Sequence, residues 1–536
     1  MQGFENALWL LLLLTVLSTI GRRLPLPLPI TYVVGGVLVT YIPGFPRIAL
    51  DPGFFFLCFV PPLLFSDGWL MPLRDFMAAK RPILTLATGL VIFTTLSVGF
   101  VAHWLVPDLP LAMAFALGAV VSPTDAVAVG AITQRLQVPT RLTAILNGES
   151  LMNDATGLVA FKFALAAMIA GAFSIKAVAM SFVVLAVGGI AVGLAIAWLI
   201  GKLRDQLRCH RSTDQYIEIT ISLMTPFAVY LAADRLGLSS ILAVVAAGLY
   251  SGWSDPLRLD AASRQTTWAV WSVVIFWLNG LAFLLLGLQF PTILASISNL
   301  YTPLQLIGFS AAIAGVAILA RLAWVFPSAY LQFVFQPKAW RDETVPPWQS
   351  VLVTGWAGMR GTITLAAALS IPLTTEDGQP FPGRDIVIFL SFAVIGVTLL
   401  LQGTTLETMI ARLGLKADDT KYREERLARI AAVEAGLAHL RAATADSVEE
   451  QAALAIVVSE YEHRLAELTA EGATQTSARL RRAAGYRHRL GALNAERAAI
   501  DDLWQRDIIT DETHRPLQQL LDHEEVMLNG QSGANS

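Results

Sequence analysis

The chain has 536 residues, of which 55% are hydrophobic and only 15% charged, with a formal net charge of −3. A soluble globular domain carries about 25% charged residues, so this composition excludes an ordinary soluble enzyme or binding domain and points to a bilayer. The charge is unevenly placed: residues 1–413 read as a membrane domain and 414–536 as a soluble tail, with segments such as KYREERLARIAAVEAGLAHLRAATADSVEE. No nucleic-acid partner is expected. Two cysteines, Cys58 and Cys209, are expected as free thiols. Only His103 and His210 precede the tail, which argues against a buried His or Cys metal cluster; no cofactor is expected.

A membrane span needs roughly 20 apolar residues. The first apolar run, Ala7 to Ile20, has no basic segment before it and is followed by Arg22 and Arg23, so it reads as a retained first span, not a cleaved signal. Twelve further centres follow at Val37, Leu57, Val91, Val120, Gly157, Gly188, Met224, Ala246, Leu278, Ala314, Ile363 and Gly396. The second and ninth of these thirteen spans, near Gly35–Ile42 and Ser239–Tyr250, are short. One set of alternate loops holds fifteen Lys and Arg residues, from Arg22 and Arg23 to Lys338 and Arg341; the other holds four, Arg47, Lys176, Arg235 and Arg384. Positive charge marks the cytosolic side, so the N-terminus is expected outside and the tail in the cytosol.

Span 5 contains VVSPTDAVAVG. Pro123 removes a backbone donor and disfavours helix at Ser122, which predicts a break that frees carbonyls beside Thr124 and Asp125. Span 6 contains GESLMNDATG, Gly148 to Gly157. At 100° per residue, Glu149 and Asn153 form one stripe and Ser150 and Asp154 another, so one stripe can pair with structure while the other faces an open site. Lys162 follows more than two turns beyond Asp154 and is expected to snorkel. Span 11 carries Arg321. Span 12 contains TGWAGMRGTITLAAALSIP, where Gly355, Gly358 and Gly361 weaken the helix around Arg360.

An ionisable residue at a helix centre costs about 2.5–3.5 kcal/mol and faces a pathway or a partner. Arg321 is read first as a structural partner, and Glu149 equally as partner or ligand. Asp154 is the strongest functional candidate, being a central acid with few cations to neutralise it. Broken backbone at mid-membrane lines a cavity or packs on protein. Spans 5 and 12 correspond if spans 1–6 repeat as 8–13 with inverted topology. Such paired, interrupted spans mark the midplane site of a secondary transporter.

Taken together, VPPLLFSDGWLMPLR (Val60 to Arg74), SPTDAVAV, GESLMNDATGLVAF and GWAGMRG, in that order, resemble the monovalent cation–proton antiporter superfamily and its sodium–proton exchanger branch of NhaP type. The resemblance covers most of the membrane domain. It implies an all-α polytopic fold of about thirteen helices, inverted repeats with two broken helices crossing at the ion site, and a helical cytosolic tail. It also implies a homodimer in the bacterial plasma membrane, an elevator-like movement, and exchange of Na⁺, with Li⁺ as a further substrate, for H⁺. Asp154 then corresponds to the carboxylate that carries ion or proton. Asn153 before it matches the electroneutral exchangers. Ser150 and the Thr124 backbone correspond to further ligands, and Asp125 to a ligand through water or a cap on broken span 12. Glu149 corresponds to the partner of an arginine, Arg360 first and Arg321 as the alternative. Many relatives carry an acid directly after the PPLLF-like run; here that position is Ser66 and the acid is Asp67, so both are accessory candidates and the ion preference stays open.

Na⁺ is a hard cation that prefers oxygen ligands. The Asp154 carboxylate, the Ser150 hydroxyl and backbone oxygens near Thr124 supply them. An unpaired carboxylate is costly in a dry site, and either a proton or Na⁺ neutralises it. Competition at one carboxylate makes exchange obligatory, at a ratio of about one to one. Intramembrane aspartyl proteases use YD and GxGD motifs, which are absent, and a rhomboid-like protease needs a membrane histidine, whereas His103 and His210 fall at span ends. The remaining rivals are K⁺/H⁺ antiport and a cation channel. In the tail, Leu427, Ile430, Val433 and Leu437 recur at helical spacing, which predicts several packed helices.

Overall fold

The computed structural model describes the chain except for residues 1, 25–26, 44–50, 126–128, 131–132, 134–135, 137, 171–174, 210–213, 335–344, 376–377, 416–418, 445–446, 470–472, 507 and 534–536. Of the loop charges counted above, Arg47, Arg135, Arg211, Lys338 and Arg341 lie outside the described residues, as do His210 and the side chain of Lys176. The described residues are overwhelmingly helical and form two compact units, Met1–Ala417 and Asp418–Ser536.

The first unit begins with α1 (Gln2–Gly21), α2 (Leu28–Val39) and α3 (Pro52–Leu70). A short α4 (Leu73–Ala78) precedes α5 (Lys80–Leu105) and α6 (Leu111–Val121). Then come α7 (Thr140–Ala170), α8 (Ile175–Cys209), α9 (Gln215–Arg235), α10 (Ser240–Arg258), α11 (Ala261–Ile297) and α12 (Pro303–Val334). The unit closes with two short helices, α13 (Trp348–Trp356) and α14 (Thr362–Leu369), and the long α15 (Arg384–Leu413). Eight of these are long and apolar enough to cross a membrane: α3, α5, α7, α8, α9, α11, α12 and α15; α1, α2 and α6 are shorter apolar helices.

Without a hydrophobic driving force between helices in lipid, close backbone approach has to come from small residues. The contact of α3 with α10 is built this way. A Cβ at Gly248 or Gly252 would overlap the carbonyl of Phe65 or Trp69, so only glycine lets the two backbones meet. α5 holds a π-helical turn over Thr85–Leu90. Its irregular ladder leaves room at the Thr85 carbonyl, which accepts a hydrogen bond from Trp324 Nε1 on α12 at 3.3 Å.

Aspartates and a serine open several helices by accepting from backbone N–H groups of the first turn: Asp51 from Phe54, Ser239 from Leu242 and Asp260 from Ser263. The Ser263 hydrogen bonds hold the Asp260 carboxyl below the usual range.

The second unit holds α16 (Asp419–Ala442), α17 (Val448–Thr469), α18 (Ala473–Gln505) and α19 (Asp511–Gly533). α16 pairs with α17, with Tyr461 against Gly436 and Arg441 bridged to Glu462 at 2.7 Å. α18 pairs with α19 through Arg497, which bridges Asp522 at 2.7 Å and Glu525 at 2.8 Å. Of the four apolar residues singled out by spacing, Val433 and Leu437 are buried, but Leu427 is exposed. A two-helix hairpin covers only one narrow face of α16, and Leu427 lies off it.

Candidate functional site

The site arises from two helix breaks. α6 ends at Val121, and Ser122–Asp125 leave the helix around Pro123. Beyond it, Val129 N–H donates to the Asp125 carbonyl at 3.4 Å. α13 ends at Trp356, Ala357–Gly361 are non-helical, and α14 starts at Thr362. The two breaks touch: Asp125 N–H donates to the Met359 carbonyl at 2.8 Å.

Broken helices expose unsatisfied carbonyls at one end and N–H groups at the other, with partial charges to match. The chain supplies ions of the complementary sign. Arg360 Nε donates to the Val121 carbonyl, the C-terminal end of α6, at 2.7 Å. Arg321 donates from Nε and Nη2 to the Thr354 carbonyl, in the last turn of α13, at 3.1 and 2.9 Å. The Asp125 carboxylate lies against Gly361, where α14 begins, so closely that a Cβ on Gly361 would overlap it. Glycine is required there by close approach.

α7 supplies the other half of the site, and its two stripes separate. Glu149 accepts from Arg321 Nη1 at 2.5 Å and Nη2 at 2.8 Å, a bidentate pair with both residues at most 1% exposed. This corrects the expectation that Arg360 is the first partner of Glu149. Arg360 sits inside the span-12 break, and its guanidinium is spent on the carbonyls of Val121 and Gly358. The long α12 brings Arg321 across to α7 instead. Asn153, on the Glu149 stripe, donates from Nδ2 to Thr124 Oγ1 at 2.9 Å and to Glu149 Oε1 at 3.4 Å; its Oδ1 accepts from Thr124 N–H at 3.4 Å. It clamps the first break and does not line the cavity described next.

That cavity is lined by Ser150 and Asp154 from α7, Thr124 and Asp125 from the first break, Gly361 through Thr364 at the start of α14, Leu63 and Asp67 from α3, and Asn279 from α11. Ser150 Oγ donates to the Thr124 carbonyl. Three carboxylate residues, four hydroxyl residues and the Asn279 amide therefore line one small space, an oxygen-rich donor set suited to a hard monovalent cation. Ser66 does not take part: it is fully buried and donates to the Leu63 carbonyl at 2.8 Å. The acid one position later, Asp67, faces the cavity. Lys162 is exposed on α7, away from the site.

Sequence reasoning missed Asn279. A lone amide in a 37-residue apolar helix is a weak signal, yet its Oδ1 accepts from Thr362 Oγ1 at 3.3 Å at the cavity wall. Also missed was a buried ion cluster away from the site. Arg204 bridges Glu218 at 2.8 Å and Asp255 at 3.0 Å, Arg208 bridges Glu218 at 2.7 Å, and Trp69 Nε1 donates to Asp255 at 3.2 Å. Arg204 and Arg208 are among the fifteen basic residues assigned to loops from the sequence. α8 extends to Cys209 and carries Arg204 inward, to 4% exposure. Cys58 and Cys209 are both free.

Two interrupted helices whose breaks meet beside a cavity lined by carboxylates fit the architecture of a secondary transporter. The sodium/hydrogen exchanger, transmembrane, family profile matches residues 10–412. A sodium, potassium, lithium and rubidium/H⁺ antiporter from Bacillus pumilus (strain SAFR-032) is 40% identical over 413 residues, covering 76% of this chain and 61% of that protein. The chain thus spans about three fifths of that relative's length. An uncharacterized Na⁺/H⁺ exchanger of Escherichia coli (strain K12), YjcE, is 35% identical over 453 residues, covering 82% of this chain and 81% of that one. The fold matches the sodium proton antiporter MjNhaP1 from Methanocaldococcus jannaschii with a TM-score of 0.61 at 20% identity, over 77% of this chain and 100% of that chain. This chain belongs to the sodium/hydrogen exchanger family of multi-pass membrane transporters.

Proposed function

We propose that this protein is a secondary active transporter that exchanges Na⁺, and Li⁺ as a further substrate, for H⁺ across the plasma membrane. The observation that carries the reading is the cavity where the two breaks meet, with Asp154, Ser150, Thr124, Asp125 and Asp67 around it. Asp154 is the carrier carboxylate in this reading, and Ser150 and the Thr124 backbone complete the cation's oxygen shell. A dry carboxylate is neutralised by one proton or one monovalent cation, and a neutral site crosses an apolar barrier at low cost. Competition for Asp154 then couples the two fluxes electroneutrally, one for one. Glu149–Arg321 and Arg360 hold the scaffold and do not carry the ion. We read thirteen spans, an external N-terminus, a cytosolic tail from residue 414, a homodimer, elevator-type alternating access and a bacterial inner membrane as the setting. No cofactor is invoked beyond the transported ions.

K⁺/H⁺ exchange is the second reading, favoured by the relative from Bacillus pumilus whose name includes potassium and rubidium. Dye-reported proton flux in proteoliposomes tests both, with Na⁺, Li⁺ and K⁺ added in turn and the membrane potential clamped. Flux with Na⁺ and Li⁺ that does not depend on the potential supports the proposal; flux with K⁺ alone selects the second reading. A cation current far above carrier turnover would instead indicate a channel. Asp154→Asn should abolish the flux while the protein stays monodisperse, and full flux from that variant would remove Asp154 from its role.

A further inference from the structure

The side chain of Gln402 on α15 is 0% exposed, and neither its Oε1 nor its Nε2 has a hydrogen-bond partner among the described residues. A buried amide left unpaired costs free energy that an apolar residue of similar size would not, and buried polar groups are overwhelmingly paired. Its surroundings give the amide a context. Thr398, one turn earlier on α15, accepts from the Arg360 backbone N–H at 3.2 Å through its Oγ1. Thr405, one turn later, accepts from Trp356 Nε1 at 2.9 Å. Met359 Sδ lies 3.5 Å from where a Cβ on the neighbouring Gly403 would stand.

At 100° per residue, Gln402 is about 40° from Thr398 and about 60° from Thr405 around the helix, and it lies between them along the axis. Thr398, Gln402 and Thr405 are thus one stripe, and the stripe faces the broken segment Trp356–Gly361. The outer two positions grip that segment. The middle one, with the largest hydrogen-bonding capacity of the three, does not grip it in this conformation.

We propose that Gln402 is a positioning residue for the span-12 break, whose amide engages the backbone of Ala357–Gly361 in the alternative conformation of the transport cycle. The inference rests on the exchange reading above. When the break shifts against α15, its carbonyls and N–H groups need a partner inside the protein, because hydrocarbon offers none. Gln402, on the same stripe as the two threonines that hold the segment, offers both donors and an acceptor, and none of them is spent among the described residues. The amide is unused on one side of the cycle and spent on the other. Gln402 is not among the residues that line the cavity, so it sets how fast the site moves between conformations and not how tightly it holds the cation.

The test compares the unaltered protein with Gln402→Leu and Gln402→Met in proteoliposomes, together with thermal stability in detergent. Both variants should melt no lower than the unaltered protein, because an unpaired amide has been removed. The cation KM should stay within about twofold, and the maximal exchange rate should fall about tenfold, the scale of one lost hydrogen bond. Undiminished rates in both variants would overturn the assignment, since an idle amide is then replaceable. So would a raised KM with an unchanged maximal rate. A marked loss of stability or failure to fold in both variants would also overturn it, because the amide would then be paired in the resting conformation. Absence of cation-driven proton flux from the unaltered protein would instead refute the exchange reading, and the proposal with it.

Discussion

Glu149→Gln is the sharpest structural perturbation available. The residue is 0% exposed and its two oxygens accept from Arg321 at 2.5 and 2.8 Å, while Arg321 is 1% exposed. Removing one partner of a buried ion pair leaves the other charge unneutralised in a dry site, which costs about 3–5 kcal/mol. Arg321 keeps two hydrogen bonds to the Thr354 carbonyl, and glutamine keeps one acceptor, so about 3 kcal/mol is the expected loss. The double variant Glu149→Gln/Arg321→Met removes both charges and should recover most of it. Unfolding in increasing SDS, followed by tryptophan fluorescence, gives the four corners of the double-mutant cycle. A coupling of about 2–3 kcal/mol is expected between Glu149 and Arg321, and a smaller one between Glu149 and Arg360. The reasoning is refuted if the larger coupling belongs to Arg360, or if Glu149→Gln is as stable as the unaltered protein.

Gly361→Ala should abolish exchange, because the added Cβ overlaps the Asp125 carboxylate; retained flux in vesicles would show that the contact is not needed. Thr362→Val and Asn279→Ala should each raise the cation KM by a factor of a few, and their combination should do no more than either alone, since both remove the same hydrogen bond of about 1 kcal/mol. Independent effects in the kinetic cycle would separate the two residues. Arg204→Gln should lower stability by about 3 kcal/mol, because Asp255, at 4% exposure, loses its guanidinium and keeps only the Trp69 hydrogen bond, while Glu218, at 2% exposure, keeps only Arg208. Because the cluster lies outside the cavity, exchange by the folded fraction should persist; loss of transport without loss of stability would contradict that.

The pattern of charges and apolar runs made much of this protein legible. Apolar runs marked the helices of the first unit, and Pro123 in span 5 and three glycines around Arg360 predicted both breaks. Helical periodicity alone separated Glu149/Asn153 from Ser150/Asp154. These inferences hold because they depend on neighbours in the chain: a proline removes its own N–H, and residues four apart share a face whatever surrounds them.

What the sequence by itself determined, then, is the class of the fold, the position of the two breaks and the split of α7 into two stripes. Only the tertiary structure decided the partners. It gave Glu149 to Arg321 and spent Arg360 on the carbonyls of Val121 and Gly358. It turned Asn153 into a clamp on Thr124 and brought Asp67 and Asn279 to the cavity from α3 and α11. It also drew Arg204 out of an apparent loop into a buried ion cluster. Both arginines carry the same charge, and either could neutralise Glu149. The choice lies with helix packing, which fixes distances between residues 172 positions apart and which no local spacing records.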